Sequence, residues 1–164
     1  MPELHELHLS FHWWDLRTSR AALRALAATG AVFPKLADLQ FSHCIVDLCD
    51  LRSIILAHSS TLKAVEIRYI KISCRDDEEY QGFWMASRDT MSLDLIRVDS
   101  LRCEDIDFEF PTQCSSVTFH EPCDKADEDW MFIDFSKVAI MLEGPEELSS
   151  GLTAMVTEMR LDAN

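Results

Sequence analysis

The chain repeats a short pattern of apolar positions, in which one apolar residue is followed by two more, three and five positions later. Copies begin at positions 4, 36, 62 and 93, and a weaker copy begins at 114. The copies are Leu4-Leu7-Leu9, Leu36-Leu39-Phe41, Leu62-Val65-Ile67, Leu93-Ile96-Val98 and Cys114-Val117-Phe119. Because side chains alternate along a strand, the second and third apolar residues of a copy point to the same side. Each copy therefore predicts a strand with one buried face.

The connector after the first copy has the spacing of an amphipathic helix. Leu16, Leu23 and Leu26 share one helical face. Asp15 is a candidate N-cap, and Gly30 is a candidate C-terminal stop. This connector therefore predicts a helix that packs onto the strands.

The next two connectors also predict helices. Their apolar residues are Leu48, Leu51 and Ile55 in the second connector, and Tyr80, Phe83 and Trp84 in the third. Asp47 is a candidate N-cap for the second helix. The third connector opens with acidic residues and is interrupted by Gly82, which weakens the helical pattern there.

Strands that alternate with helices predict an α/β fold with parallel strands. The copies are 32, 26, 31 and 21 residues apart, and leucine-rich repeats run at roughly 20–29 residues, so two spacings fit and two need small insertions. We therefore predict a short, irregular leucine-rich-repeat-like solenoid over residues 1–120. Residues 121–164 form an acidic C-terminal extension, which we expect to cap the array with a helix over residues 146–160.

Charge is distributed unevenly along the chain, and this narrows the choice of partners. The formal net charge is -14, with 8 Lys/Arg against 7 Asp/Glu in residues 1–73 and 7 against 22 in residues 74–164. An acidic surface repels phosphate backbones, so we expect no nucleic-acid partner. No run of about 18 apolar residues occurs, so we expect no membrane partner.

Six cysteines occur, but neither their spacing nor the N-terminus indicates an oxidising compartment. The N-terminus lacks a basic segment followed by a continuous apolar stretch, so it does not predict a secretory signal. We expect reduced thiols, several of them buried as small apolar residues, in a cytoplasmic or nuclear protein.

Residues 33–72 carry a resemblance to a known family. The segment FPKLADLQFSHCIVDLCDLRSIILAHSSTLKAVEIRYIKI resembles the repeat region of fungal F-box and leucine-rich-repeat proteins. In that family a helix ends near His-Ser-Ser-x-Leu, and the next strand starts on the leucine. The matching residues here are His58, Ser59, Ser60 and Leu62. Trp84 and the following SRDTMSLDLIRV are similar to the family's progression from a tryptophan through a helix to the next strand.

The resemblance implies a receptor that recruits substrates to a cullin-type ubiquitin ligase through an F-box. Met1 falls almost directly on the first copy, so a cullin-ligase adaptor is expected as a partner only if an upstream F-box exists. The family's full repeat also places Asn or Cys three residues after the last strand position. Cys44 fits that position, whereas the other copies have His12, Ile70, Leu101 and Pro122 there.

No set of residues predicts a catalytic, cofactor or metal site. GxSxG, P-loop and GxGxxG motifs do not occur in the sequence. The clusters with metal-ligand side chains are His5, His8 and His12, and Asp124, Asp127 and Asp129. On a strand the three histidines do not share a face, and the aspartates lack the glycine and glutamate of a calcium loop. The adjacent His58 and Ser59 precede a strand and predict a turn rather than a catalytic pair.

The side chains that flank the buried pairs predict the functional surface, because they point away from the core on neighbouring strands. They are Glu6, His8, Ser10, Asp38, Gln40, Ser42, Ala64, Glu66, Arg68, Leu95, Arg97, Asp99, Ser116, Thr118 and His120. Repeat proteins commonly bind partners on such a surface, so we predict a non-enzymatic protein-protein interaction module. Two alternatives stay open: a small hydrolase or metal-dependent enzyme of unrecognised type, and a truncated gene product without independent function.

Overall fold

The computed structural model describes residues 3–12, 16–74, 76–103, 107–109, 139–157 and 160–162. The strands are β1 (Glu6–Ser10), β2 (Asp38–Asp47), β3 (Ala64–Ser73), β4 (Leu95–Cys103), β5 (Asp107–Glu109), β6 (Ala139–Glu143) and β7 (Arg160–Asp162). The helices are α1 (Leu16–Thr29), α2 (Leu48–Leu56), α3 (Asp77–Thr90) and α4 (Pro145–Thr157).

A five-stranded sheet organises the described part of the chain. Its strand order is β1-β2-β3-β4-β6, and β1 to β4 are parallel, each joined to the next by a helix. The α/β class and the alternation of parallel strands with helices are therefore confirmed for the first four copies. β6 is antiparallel to β4, and β5 and β7 form a separate antiparallel pair. The weak fifth copy, at 114–119, lies outside the described residues.

The repeated apolar pairs lie side by side in the sheet and form its buried layer. The register aligns Leu39 with Val65 and Phe41 with Ile67, and it continues in the same way into β4. In β2, β3 and β4 these residues expose at most 1% of their surface. They share one core with the buried residues of the helices. The predicted inward orientation is confirmed for these strands, and the helices cover the apolar layer that they form.

β2 and β3 each contain one residue in the left-handed backbone region. His43 has φ 56° and Tyr69 has φ 54°. An inserted residue of this kind shifts the side-chain alternation by one position, as in a β-bulge. After His43 the core is lined again by Cys44, and after Tyr69 by Ile70, so the buried face continues along both strands.

The helices follow the predicted connectors with three differences. α1 ends at Thr29 and is followed by Gly30, whose φ of 57° suits glycine, so Gly30 stops the helix as predicted. Asp47 stands at the N-cap position of α2, but its side chain makes no capping hydrogen bond, so the predicted capping role is wrong. α3 runs without interruption through Gly82, and Asp76 caps it by accepting from the Glu79 N–H at 2.8 Å. α4 ends at Thr157, short of the predicted 160, because Arg160 already belongs to β7.

The extension beyond residue 120 contributes to the sheet and its cover. In β6, Ile140 and Leu142 expose 1% and 0%, and α4 packs against α3 and β6. None of the described helices is long and apolar enough to cross a membrane.

Candidate functional site

The four helices lie on one side of the sheet, which leaves the other side as the candidate site. Consecutive helices pack against each other, α1 on α2, α2 on α3 and α3 on α4. Right-handed crossovers between neighbouring parallel strands place helices on the same side. We call the opposite side of β1 to β4 the polar face. It comprises Glu6, His8, Ser10, Asp38, Gln40, Ser42, Ala64, Glu66, Arg68, Leu95, Arg97 and Asp99.

The strand register arranges the polar face in three rows that cross the sheet. Each row takes one residue from each of β1 to β4, and neighbouring residues of a row lie about 5 Å apart. The rows are Glu6-Asp38-Ala64-Leu95, His8-Gln40-Glu66-Arg97 and Ser10-Ser42-Arg68-Asp99. The structure thus brings together the predicted face residues of the first four copies. Thr118 and His120, predicted for the fifth copy, lie outside the described residues, as does Ser116.

Exposure falls from the edge of the polar face towards its middle. The three residues of β1 are exposed, whereas most residues of β2 to β4 are half-buried. Ser42 and Asp99 each expose only 7%, so little of either side chain is available to a partner. A partner would therefore contact the first two rows, Ser10 and Arg68 rather than the whole predicted set.

Carboxylates cluster at the first two rows of β1 to β3. Partial burial raises the pKa of Asp38, and the negative charges of Glu66 and Glu6 raise it further, while His8 acts in the opposite direction. The three carboxylates therefore repel one another at this corner of the face. A cationic group would relieve that repulsion.

Arg68 carries positive charge to the third row. Its guanidinium lies 3.8 Å from Glu66, and its buried Nε has no hydrogen-bond partner among the residues that the structure describes. Its charge also acts on His43: burial lowers the pKa of His43, and the positive charge of Arg68 lowers it further. Arg68 thus interacts both with Glu66 in the second row and with His43, one of the two left-handed residues beside the rows.

His43 and Tyr69 form a stacked aromatic pair that our sequence reasoning missed. Their ring centroids are 5.0 Å apart with an angle of 19° between the planes. They are neighbours because the adjacent register pairs are Ser42 with Arg68 and Cys44 with Ile70. A signal was present in the sequence: in both copies the apolar spacing changes from two to three at this point, which interrupts the strand alternation.

His58 is a structural residue of the turn between α2 and β3. Its side chain is buried, with its Nδ1 2.8 Å from the carbonyl of Ile54. Its Nε2 accepts a hydrogen bond of 3.0 Å from the Phe33 N–H, so Nδ1 must carry the proton and donate to Ile54. The ring also stacks on Phe33 at 5.6 Å. Both ring nitrogens are thus engaged by backbone groups, and neither is directed at Ser59 as a general base.

The candidate chemistry elsewhere does not converge within the part of the chain that the structure describes. Here no group of three or more His, Cys, Asp or Glu side chains could hold a metal ion. Cys44 and Cys49 are free thiols, the first buried and the second exposed. The aspartates at 124, 127 and 129 lie outside the described residues.

Two cavities open on the helical side of the molecule. One of about 350 Å³ lies where α3 and α4 meet the start of β4, and one of about 610 Å³ lies between α2 and the start of α3. The first is lined by Lys63, Arg88 and several leucines, and the second by Cys49, Arg52 and acidic residues. Among the described lining residues, neither cavity places a serine or cysteine beside a histidine, which a hydrolase of the Ser–His or Cys–His type would require.

Comparisons with known proteins give no relative: no protein-family model, no curated protein and no solved structure matches the chain.

Proposed function

We propose that this chain is a non-enzymatic protein-binding module that binds its partner on the polar face. The observation that carries the proposal is the alignment of the flanking residues of four strands into three rows. A row of side chains at regular spacing of about 5 Å can contact an extended or helical segment laid across the strands. The apolar residues of the same strands form the core, so the amino acids on the polar face can differ without loss of the fold.

The chemistry of the polar face supports binding of another protein. The face combines carboxylates with the arginines Arg68 and Arg97, and the half-buried aromatic pair of His43 and Tyr69 lies beside it. Aromatic and arginine side chains supply most of the energy in many protein interfaces. The left-handed backbone of the pair adds to this, because residues held in sparsely populated conformations cluster at functional sites.

The architecture that we propose is a short leucine-rich-repeat-like solenoid, capped by β6 and α4. Its support is the in-register stacking of the apolar pattern in β1 to β4, one copy per strand. The resemblance of residues 33–72 to fungal F-box and leucine-rich-repeat proteins suggests the substrate-recognition part of a ubiquitin-ligase receptor. A cullin-ligase adaptor belongs to that proposal only if an F-box lies upstream.

Site-specific photo-crosslinking in source cells tests the proposed surface. A photoreactive benzoylphenylalanine at Gln40, in the middle of the polar face, should crosslink to a distinct protein that mass spectrometry identifies. The same group at Arg52, an exposed residue of α2, is the matched control and should not capture that protein. The charge-reversing double variant Arg68→Glu/Arg97→Glu should abolish the Gln40 crosslink.

Thermal unfolding separates lost binding from lost structure in this experiment. Arg68→Glu/Arg97→Glu should melt at a lower temperature than the unchanged chain, because two more carboxylates join the repulsion on the polar face. It should still unfold cooperatively and be folded at the temperature of the crosslinking, because neither side chain lies in the apolar core. Equal capture from positions 40 and 52, or undiminished capture by the double variant, would reject the polar face as the binding surface.

A further inference from the structure

β1 forms one edge of the five-stranded sheet. Within the described residues, β2 is the only strand that pairs with it. The backbone groups of odd-numbered residues face β2: the His5 carbonyl accepts from the Ala37 N–H at 2.8 Å, and the Phe11 N–H donates to the Ser42 carbonyl at 3.2 Å. Successive residues of a strand alternate in direction. The N–H and C=O groups of the even-numbered residues therefore point to the edge.

On the helix side, the apolar residues of β1 are more exposed than those of the neighbouring strand β2. Leu7 and Leu9 are only half-buried, whereas their register partners Leu39 and Phe41 expose 0%. The reason is that α1 packs over β2 and against α2. β1 therefore combines backbone groups that no other described strand pairs with and leucines that are partly exposed.

Nothing in the sequence of β1 blocks the pairing of another strand. Protein edges are commonly protected by lysine, proline, a bulge or a charge that points inward. β1 has the sequence ELHLS, in which both inward residues are leucine, and none of its residues has a positive φ. The edge is thus competent to extend the sheet.

We propose that a second copy of this chain occupies this edge through an antiparallel β1–β1 ladder centred on His8. In that register His8 faces His8 of the second copy, and Glu6 faces Ser10 of the second copy. The residues that face each other are the ones whose N–H and C=O groups point to the edge. They exchange two hydrogen bonds at each of the three pairs. A two-fold axis perpendicular to the sheet keeps the helices of both copies on one side.

The sequence of β1 is chemically symmetric about His8, which is why a second copy fits. Read in either direction, its leucines fall at the same positions, so Leu7 packs against Leu9 of the second copy on the helix side. The Glu6 carboxylates face serine hydroxyls and lie diagonal to the imidazole of the opposite His8, so they do not face each other. Closed two-fold dimers of this isologous kind are the commonest soluble oligomers.

Edge pairing leaves the polar face uncovered and joins the two faces into one surface. The dimer is therefore independent of the proposed partner binding. A monomeric chain could still bind on its polar face, and a dimeric one could bind nothing there.

Disulfide crosslinking tests the register. In a hydrogen-bonded antiparallel pair the two Cα atoms lie about 5.5 Å apart, within the range of about 4.4–6.8 Å that a disulfide spans. His8→Cys should therefore form a covalent dimer under mild oxidation. Ser10→Cys is the matched control on the same exposed strand, because the two Ser10 Cα atoms would lie about 14 Å apart. Oxidation of the unchanged chain under the same conditions shows how much covalent dimer its own cysteines form.

Light scattering of the intact chain tests the dimer itself. The expected mass at micromolar concentration is twice the 18.8 kDa of one copy. His8→Pro removes an N–H that points to the edge, where proline is tolerated, and should give the mass of one copy with an unchanged far-ultraviolet circular dichroism spectrum. A monomeric unchanged chain, or equal crosslinking of His8→Cys and Ser10→Cys, would overturn the proposal.

Discussion

Leu142 on β6 fills the space in which a side chain at position 151 of α4 would begin. A Cβ on Gly151 would lie 3.0 Å from the Leu142 Cγ and closer still to both of its methyl groups. Leu142 exposes 0% of its surface, so its side chain has no solvent to move into. This contact brings α4 close to the last strand of the sheet, and it requires glycine at position 151.

Replacing Gly151 by alanine should destabilise the protein. Alanine normally favours a helix by about 1 kcal/mol over glycine. Here its methyl group overpacks the contact with Leu142, and we expect a net loss of about 1–3 kcal/mol in the free energy of unfolding, measured by urea denaturation. Gly82→Ala in α3 is the control, because nothing lies within 4 Å of its Cβ position. That variant should gain about 0.5–1 kcal/mol. Stabilisation by both substitutions would show that Leu142 has room to move.

The core of the sheet could be predicted from the alternation of apolar residues. Contacts between segments that are distant in the sequence could not be predicted. Leu39 and Phe41 could be assigned to the core because a strand has a period of two, and the neighbouring copies repeat it. Asp47 looked like a helix cap because the sequence shows only its local position. In the structure its carboxylate binds Arg20 and Arg24 of α1, more than 20 residues earlier. A local pattern cannot show which of two such roles a carboxylate adopts.

The polar face was predictable in outline but not at its centre. Its residues follow from the core pattern, because they are the alternate positions of the same strands. The left-handed residues His43 and Tyr69 could not be predicted, because a change of apolar spacing fits the end of a strand as well as a bulge. The antiparallel direction of β6 was also hidden, because it depends on the path of the chain between β4 and β6 rather than on its own residues.

Asp47 should contribute to stability through its ion pairs with α1. Arg20 Nε donates to its Oδ1 at 2.8 Å, and Arg24 binds the other oxygen. Burial of Asp47 raises its pKa, but the hydrogen bonds and charges of Arg24 and Arg20 outweigh burial and lower the pKa below its ordinary value. A carboxyl group with a lowered folded pKa stabilises the fold above its unfolded pKa, and this stabilisation is lost as the pH falls through the folded pKa.

Asp47→Asn should therefore lower the free energy of unfolding at pH 7 by about 1 kcal/mol, since these pairs are partly solvated. The difference between the variant and the unchanged chain should shrink as the pH falls below about 4. Asp94→Asn, at an exposed residue in the turn before β4, is a control that should change stability little at either pH. A difference that stays constant from pH 7 to pH 3 would show that charge is not its cause.

Cys44 should be inert to thiol reagents, in contrast to Cys49. Burial raises the pKa of Cys44 to about 12, whereas Cys49 is exposed on α2. Since only the thiolate reacts, Cys49 should be modified rapidly by a disulfide reagent at pH 8 and Cys44 only on unfolding. Mass spectrometry of tryptic peptides after a short pulse of the reagent distinguishes the two. Comparable modification of both thiols in the native protein would show that the β2 core opens readily.

The raised pKa of Cys44 also implies a loss of stability at alkaline pH. An unfolded thiol ionises near pH 8.5, so its contribution to stability is complete below that pH. The contribution is lost as the pH rises towards about 12, because the fold disfavours the thiolate. Cys44→Ala should be less stable at pH 7, and its deficit relative to the unchanged chain should narrow between pH 9 and pH 11. A constant deficit would contradict the burial of the thiol.

The left-handed backbone at His43 predicts an unusual order of substitutions. Glycine adopts a φ of 56° freely, whereas a β-branched residue is strained there. His43→Gly loses the stack with Tyr69 but also the strain, so its free energy of unfolding should change by less than about 1 kcal/mol. His43→Val loses the stack and gains strain, and it should cost at least about 2 kcal/mol.

Gln40 lies on the same strand without a positive φ and is the matched control. At that position the order should invert, with Gln40→Val more stable than Gln40→Gly, because a β-branched residue suits extended backbone. Chemical denaturation of the four variants gives the comparison directly. Valine more stable than glycine at both positions would mean that β2 has no left-handed residue in solution. The bulge that turns the His43 ring onto Tyr69 would then be absent, and with it the aromatic pair beside the polar face.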